Sequence, residues 1–272
     1  MLSFLYETVP GRLLLKPLTG KTVSDISGRL LDTRLSMALV PLFARINHID
    51  TAAYETENIR SFNDFFSRRI KPGKRSIDTD PAHLIAPCDG LLSVWKITGD
   101  TVIPVKQSRF TVPSLLEDAD LARKYEGGLC LVYRLCVDHY HRYCYVDSGQ
   151  KSANRHIAGK YHTVRPIALR SVRVFTENTR EYTLIRSEAF GTIVQMEVGA
   201  MLVGRIRNHE GAGTAVRGRE KGLFEYGGST VIVLLQKDCV QMLSHILHAS
   251  EKGVETPVRM GEAVGLVRPA SF

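Results

Sequence analysis

From residue 84 onward the chain breaks into short runs of β-branched, aromatic and aliphatic residues, punctuated by turn pairs such as Asp89-Gly90, Gly99-Asp100 and Gly127-Gly128. Runs of this length between Gly and Asp turn signals read as strands joined by tight connections. The expected strands are 91–97, 129–137, 172–175, 182–185, 191–198, 201–206 and 230–235. The stretch Leu115 to Tyr125 reads as a helix between strands. Residues 1–60 have a different texture. Val23, Ile26, Leu30, Leu31, Leu35, Ala38, Leu39, Leu42, Phe43 and Ile46 recur at spacings of three and four, which places them on one face of a helix. Thr22 or Ser24 is suited to cap its start, and Pro41 to kink or end it. A short helical element follows at 61–70, then the turn-rich Lys71-Pro-Gly-Lys74. The expected fold is therefore α+β: a helical N-terminal segment, 1–60, followed by a mostly antiparallel, β-rich domain, 61–272.

Charge narrows the partners. Lys and Arg exceed Asp and Glu by +8, and the sequence pI is about 9.3, which favours a polyanion, either nucleic acid or an anionic membrane surface. Basic and aromatic residues do not interleave in a nucleic-acid-binding motif, so no nucleic-acid partner is expected. Lys16, Lys21, Arg29, Arg34 and Arg45 accompany the apolar helical face, a combination that lies well in the headgroup layer of an anionic bilayer. The longest uncharged apolar run there, Met37 to Ala44, contains Pro41 and is too short to span. The start lacks the basic and apolar regions of a signal peptide. Five cysteines at irregular spacing, without a CxxC pair, support neither a disulfide framework nor a zinc site and fit a reducing compartment.

Four segments carry candidate chemistry. Ala86-Pro-Cys-Asp-Gly90 holds an Asp-Gly pair, ordinarily a turn device. Val137-Asp-His-Tyr-His-Arg-Tyr-Cys-Tyr145 concentrates His139, His141 and Cys144 among tyrosines. It lacks a complement of ligands at metal-binding spacing, so no metal is expected, and its Cys–His pair lacks an oxyanion device for a hydrolase. Tyr226-Gly-Gly-Ser-Thr-Val-Ile-Val-Leu-Leu235 places two glycines before Ser229 and an apolar strand after it, and 198–206 is a glycine-bearing strand.

In this order the segments resemble the phosphatidylserine decarboxylase family. The likeness covers FNDFFSRRIKPGKRSID (62–78), APCDG (86–90), YHR (140–142), FTEN (175–178), FGTIVQMEVGAMLVGRI (190–206), KGLFEYGGSTVIVLL (221–235) and VRMGEAVG (258–265). The resemblance implies an inactive precursor that cuts itself between Gly228 and Ser229, giving a β chain, 1–228, and an α chain, 229–272, that stay associated. Ser229 would attack the Gly228 carbonyl, and the resulting ester would eliminate and hydrolyse to a pyruvoyl group. That covalent cofactor would form a Schiff base with phosphatidylserine, accept electrons as CO2 leaves, and release phosphatidylethanolamine. The residues suit these roles: a serine hydroxyl needs a base, and a carboxylate commonly orients that base. Asp89 and His141 (or His139) are the candidates, with His141 also the proton donor to the carbanion. Many relatives carry a second histidine where this chain has Cys144, and Leu where it has Gly227.

The implied partner is phosphatidylserine in an anionic membrane, and the implied location is peripheral, on the cytoplasmic face of the cell membrane. The reading allows a homodimer. Two rivals remain at this point: a processing-deficient homologue serving as a basic membrane-surface binder, and a hydrolase using Cys144.

Overall fold

The run Ser229–Leu235 is buried at every position, which a strand tolerates only when both its faces are covered. The structure is a computed structural model that describes residues 21–98, 103–105, 108–159, 178–199, 205–225 and 229–268. Its strands begin with β1 (Tyr54–Glu55), β2 (Arg69–Ile70), β3 (His83–Ile85), β4 (Gly90–Lys96), β5 (Ile103–Val105) and β6 (Ser108–Phe110). Next come β7 (Leu129–Leu135), β8 (Arg142–Cys144), β9 (Gly149–Lys151), β10 (Arg155–Ile157), β11 (Arg180–Ser187) and β12 (Gly191–Val198). The remainder are β13 (Ile206–Asn208), β14 (Gly213–Ala215), β15 (Glu220–Phe224), β16 (Ser229–Leu235), β17 (Val240–Met242), β18 (Thr256–Val258) and β19 (Ala263–Val267). The described α-helices are short: α1 (Lys21–Leu31), α2 (Val40–Ile46), α3 (Phe62–Phe66), α4 (Val112–Leu116), α5 (Ala119–Arg123) and α6 (Ser244–Glu251).

The main sheet runs β14-β9-β11-β12-β16-β7-β4-β18, with β10 also pairing β11. Every pairing among the described strands is antiparallel, as the turn-rich sequence predicts. β16 is central, between β12 and β7. Because side chains alternate across a strand, β16 feeds two cores. Ile232 and Leu234 join Val132, Met196 and Val198 on one face, under Leu115, Leu116 and Tyr125. Val231 and Val233 join Tyr133, Leu135 and Leu92 on the other, with Tyr143 and Phe224 of the sheet β13-β15-β8 and Tyr145 just after β8.

Several expectations shift by a few residues. The run 182–185 is the middle of a longer strand, Arg180–Ser187, because Ser187 and Arg180 continue the ladder with Gly191 and Val198. The expected helix at 115–125 is two helices, α4 and α5. Thr111 closes a capping box with Ser114 ahead of the first, Glu117 at φ +48 ends it, and Asp118 caps the second through the Leu121 N–H. The helical face of 22–46 is likewise divided. α1 stops at Leu31, Arg34–Leu39 is a 3-10 helix, and Pro41 lies in the first turn of α2. Proline opens a helix there because its missing N–H has no partner in a first turn anyway. Thr22 and Ser24 fall inside α1. The expected strand 172–175, the residues 201–204 and the pair Gly227-Gly228 lie outside the described residues.

Candidate active site

Ser229 is the first residue of β16 and sits opposite Leu135, the last residue of β7. By alternation its side chain shares a face with Val231, toward the core beneath the sheet β13-β15-β8. It is fully buried, and its Oγ has no hydrogen-bond partner among the described residues. Gly228, the residue on the other side of the expected cut, lies outside the described residues.

His141 comes just before β8, and its carbonyl accepts the Phe224 N–H at 2.9 Å. Phe224 ends β15, five positions ahead of Ser229, so the histidine is tied to the strand that leads into the junction. Its ring Nδ1 lies 2.9 Å from the His139 carbonyl. A carbonyl only accepts, so Nδ1 carries the proton and Nε2 holds a lone pair. That Nε2 is buried without a partner among the described residues. Burial, reinforced by the nearby Arg68 cation, pushes the pKa of His141 down to about 3. The ring is therefore a neutral base at physiological pH.

The depressed pKa has a consequence for stability. Unfolded histidine protonates near pH 6.5, long before the folded ring does, so the unfolded chain binds more protons between these values. The contribution is complete above about pH 6.5 and is lost as pH falls toward 3. Lowering the pH from 7.5 to 5.0 should remove about 2 kcal/mol through this residue. Denaturant midpoints for the uncut Ser229→Ala protein should show that loss, and His141→Gln in the same background should lack that part of it.

The motif at 62–70 braces this histidine. Ser61 caps α3 by accepting the Asp64 N–H at 3.1 Å, and the ring of Phe66 lies 3.9 Å from the His141 ring, centroid to centroid. Arg68 is buried and donates to the carbonyls of Asp138 at 3.1 Å and His139 at 3.4 Å. Arg142 returns the contact, donating to the Ser67 carbonyl at 2.7 Å. The carbonyl that orients His141 is thus itself held by a buried guanidinium.

Asp89 stands elsewhere. Its carboxylate accepts from Arg75 at 2.8 Å and from the Met260 N–H at 2.8 Å, and it makes no hydrogen bond to a histidine. Its negative charge does act on His139, raising a pKa that burial lowers overall. His139 Nδ1 accepts the Cys136 N–H at 3.1 Å. Gly90 has no positive φ and opens β4 instead of completing a turn. A Cβ there would lie 3.2 Å from the Arg134 carbonyl, so close strand approach accounts for the glycine.

Cys144 packs against the same segment. Its N–H donates to Pro87 O at 2.8 Å, and its thiol faces the Ala86 carbonyl at 3.9 Å. Residue 144 therefore adjoins the segment that leads into Asp89. Burial pushes the Cys144 thiol up to about 12, so it is protonated at neutral pH and is no nucleophile. That removes the hydrolase reading. The structure also brings one ligand atom each from Cys136, Asp138 and His139 within 4.8 Å, a grouping the sequence spacing does not suggest. Its His139 Nδ1 is already engaged by the Cys136 backbone.

Comparison with known proteins adds an independent finding. Residues 62–266 match the family model described as phosphatidylserine decarboxylase. The chain is 41% identical over 265 residues to phosphatidylserine decarboxylase proenzyme 2 of Clostridium acetobutylicum, covering 97% of this chain and 91% of that protein. Proteins named phosphatidylserine decarboxylase proenzyme from Ruminiclostridium cellulolyticum and Clostridium botulinum are 38% and 37% identical, each across 97% of this chain and 90% and 91% of their own.

Proposed function

Because the chain belongs to the phosphatidylserine decarboxylase family, we propose that it converts phosphatidylserine to phosphatidylethanolamine and CO2, using a pyruvoyl group made from Ser229 when the Gly228–Ser229 bond is cut. The carrying observation is a buried hydroxyl at the start of β16 and a buried imidazole nitrogen on His141, whose carbonyl is hydrogen-bonded to Phe224 at the end of β15; among the described residues both lack partners. An unpartnered buried polar atom costs about 1–3 kcal/mol. Two of them, one on β16 and one tied to the end of β15, suit groups reserved for chemistry. The residues present therefore fit the group.

His141 removes the Ser229 proton in this reading, its Nδ1–H fixed by the His139 carbonyl in place of a carboxylate. Asp89 acts at a distance: anchored by Arg75, it adds to the field of Asp138 on His139, against the larger effect of burial. A pyruvoyl group supplies a carbonyl that accepts the electron pair released with CO2. The enclosing core excludes water, and His141 returns a proton to the product carbon. Mass measurement of purified protein tests the scheme: residues 229–272 should separate as a 44-residue chain with a blocked N-terminus. A single 30.4 kDa species would instead support a non-catalytic surface binder.

A lipid substrate also favours a membrane-contacting role for the N-terminal segment. Among the described residues, six of the nine exposed large apolar side chains fall between Ile26 and Ile46, with Leu35 87% exposed. Water-facing leucines in such a cluster, beside Arg29, Arg34 and Arg45, suit insertion among anionic headgroups. No described helix is long and apolar enough to cross a membrane; this reading takes the contact as peripheral, on the cytoplasmic face, where cysteines at irregular spacing without a CxxC pair stay reduced. Replacing Leu35, Leu39 and Leu42 together by Glu should weaken binding to phosphatidylserine vesicles at least about 100-fold, since each loses roughly 1.5–3 kcal/mol of apolar burial. Flotation assays would show it, and unchanged binding would remove this segment as the anchor.

A further inference from the structure

Glu197 on β12 is fully buried, and one of its carboxylate oxygens is committed while the other is not. Oε2 accepts from Lys221 Nζ at 2.6 Å and from Asn208 Nδ2 at 3.3 Å. Lys221 is only 1% exposed and also donates to Asn208 Oδ1 at 2.8 Å. Asn208 is fixed in turn by Glu181 and by the Tyr143 hydroxyl. The carboxylate is thus locked in one orientation; burial pushes its pKa up while Lys221 opposes the rise, and its Oε1 is buried with no partner among the described residues.

The position of that oxygen matters. Glu197 pairs with Val231, and Ser229 is two residues along β16 from Val231. Glu197 and Ser229 are therefore diagonal neighbours on one face of the sheet, about 7 Å apart at their Cβ atoms, within reach of a long side chain. A buried ion pair is costly to assemble, and an apolar pair of similar size commonly serves stability as well or better. Its retention, with an open acceptor on a side chain diagonal to residue 229, suits a cationic donor at that spot. Under the function proposed above, the substrate brings one. Its amine must come to the carbon that was Cα of Ser229.

Resting on that reading, we infer that Glu197 is the amine-binding residue of the site, its free Oε1 accepting a hydrogen bond from the ammonium of the serine headgroup while Lys221 and Asn208 hold it in place.

The test is direct binding, measured calorimetrically on the cut protein with two soluble short-chain lipids. One carries an N,N-dimethylethanolamine headgroup, a cation with one N–H that cannot condense with a carbonyl. The other carries an ethylene glycol headgroup, neutral and similar in size. Glu197→Gln should weaken binding of the dimethylamine lipid at least tenfold and leave the glycol lipid within twofold. Equal affinities in both proteins, or a loss shared by both lipids, would overturn the assignment. If Glu197→Gln is recovered uncut or unfolded, the parent protein alone decides: it should bind the dimethylamine lipid at least tenfold more tightly, and equal binding sinks the inference. Failure of the parent to cut itself would instead count against the proposed function.

Discussion

Ser229→Ala is expected to yield one uncut chain of 30.4 kDa and no decarboxylase activity. The substitution removes only Oγ, an atom that makes no hydrogen bond, and leaves the backbone ladder of β16 with β7 and β12 intact. Deleting an unpartnered buried hydroxyl costs little or slightly stabilises. The fold should survive, so loss of cutting can be assigned to chemistry. Without the hydroxyl no acyl transfer from Gly228 is available, and the fall in cleavage rate should be at least about 10^4-fold. Intact mass and lipid conversion check both halves. An alanine protein that still separates into two chains would end the proposed mechanism.

The second large effect belongs to His141. His141→Ala should slow cutting by about 10^2–10^4-fold, the range for loss of a positioned general base. It also empties a fully buried volume against Phe66, so a stability loss of about 2–4 kcal/mol is expected alongside. Rate and stability are separable: circular dichroism reports the fold, and mass spectrometry over days reports the slow cut. Parallel His139→Ala and Cys144→Ala proteins should cut at near-parental rates. If His139→Ala blocks cutting while His141→Ala does not, the base is His139, coupled to Asp89 by the field already described.

The sequence carried much of this architecture because its turn signals are chemically explicit. Gly191–Val198 was readable to the residue, since alternation and a flanking glycine bound it at both ends. The helical segments were harder. Thr111, Glu117 and Asp118 divide 112–123 through capping bonds that periodicity does not register. Asp89, His141 and Ser229 were legible only through a family likeness; composition and spacing left each with an ordinary alternative. Their supports were not legible at all. Arg75, Arg68 and Glu197 come into play across separations of 14, 70 and 24 residues from Asp89, Asp138 and Lys221. A basic residue in a turn, or an acidic one in an apolar strand, gives no sign of which distant group it will meet. Cys144 shows the opposite limit. Its thiol looked chemically available in the sequence, and packing beneath Ala86 made it inert.

The central place of β16 sets the order of events in the life of the molecule. Its neighbours β12 and β7 are both on the far side of residue 228, so under the proposed cut the sheet is assembled before the backbone is severed. Each piece would then depend on a scaffold that the other completed. Once melted, a protein cut in this way would become a two-chain association problem, with an unfolding midpoint that rises with concentration. Recovery on cooling should be poor for the severed protein and good for the Ser229→Ala chain. The single polypeptide acts as a template that is used once.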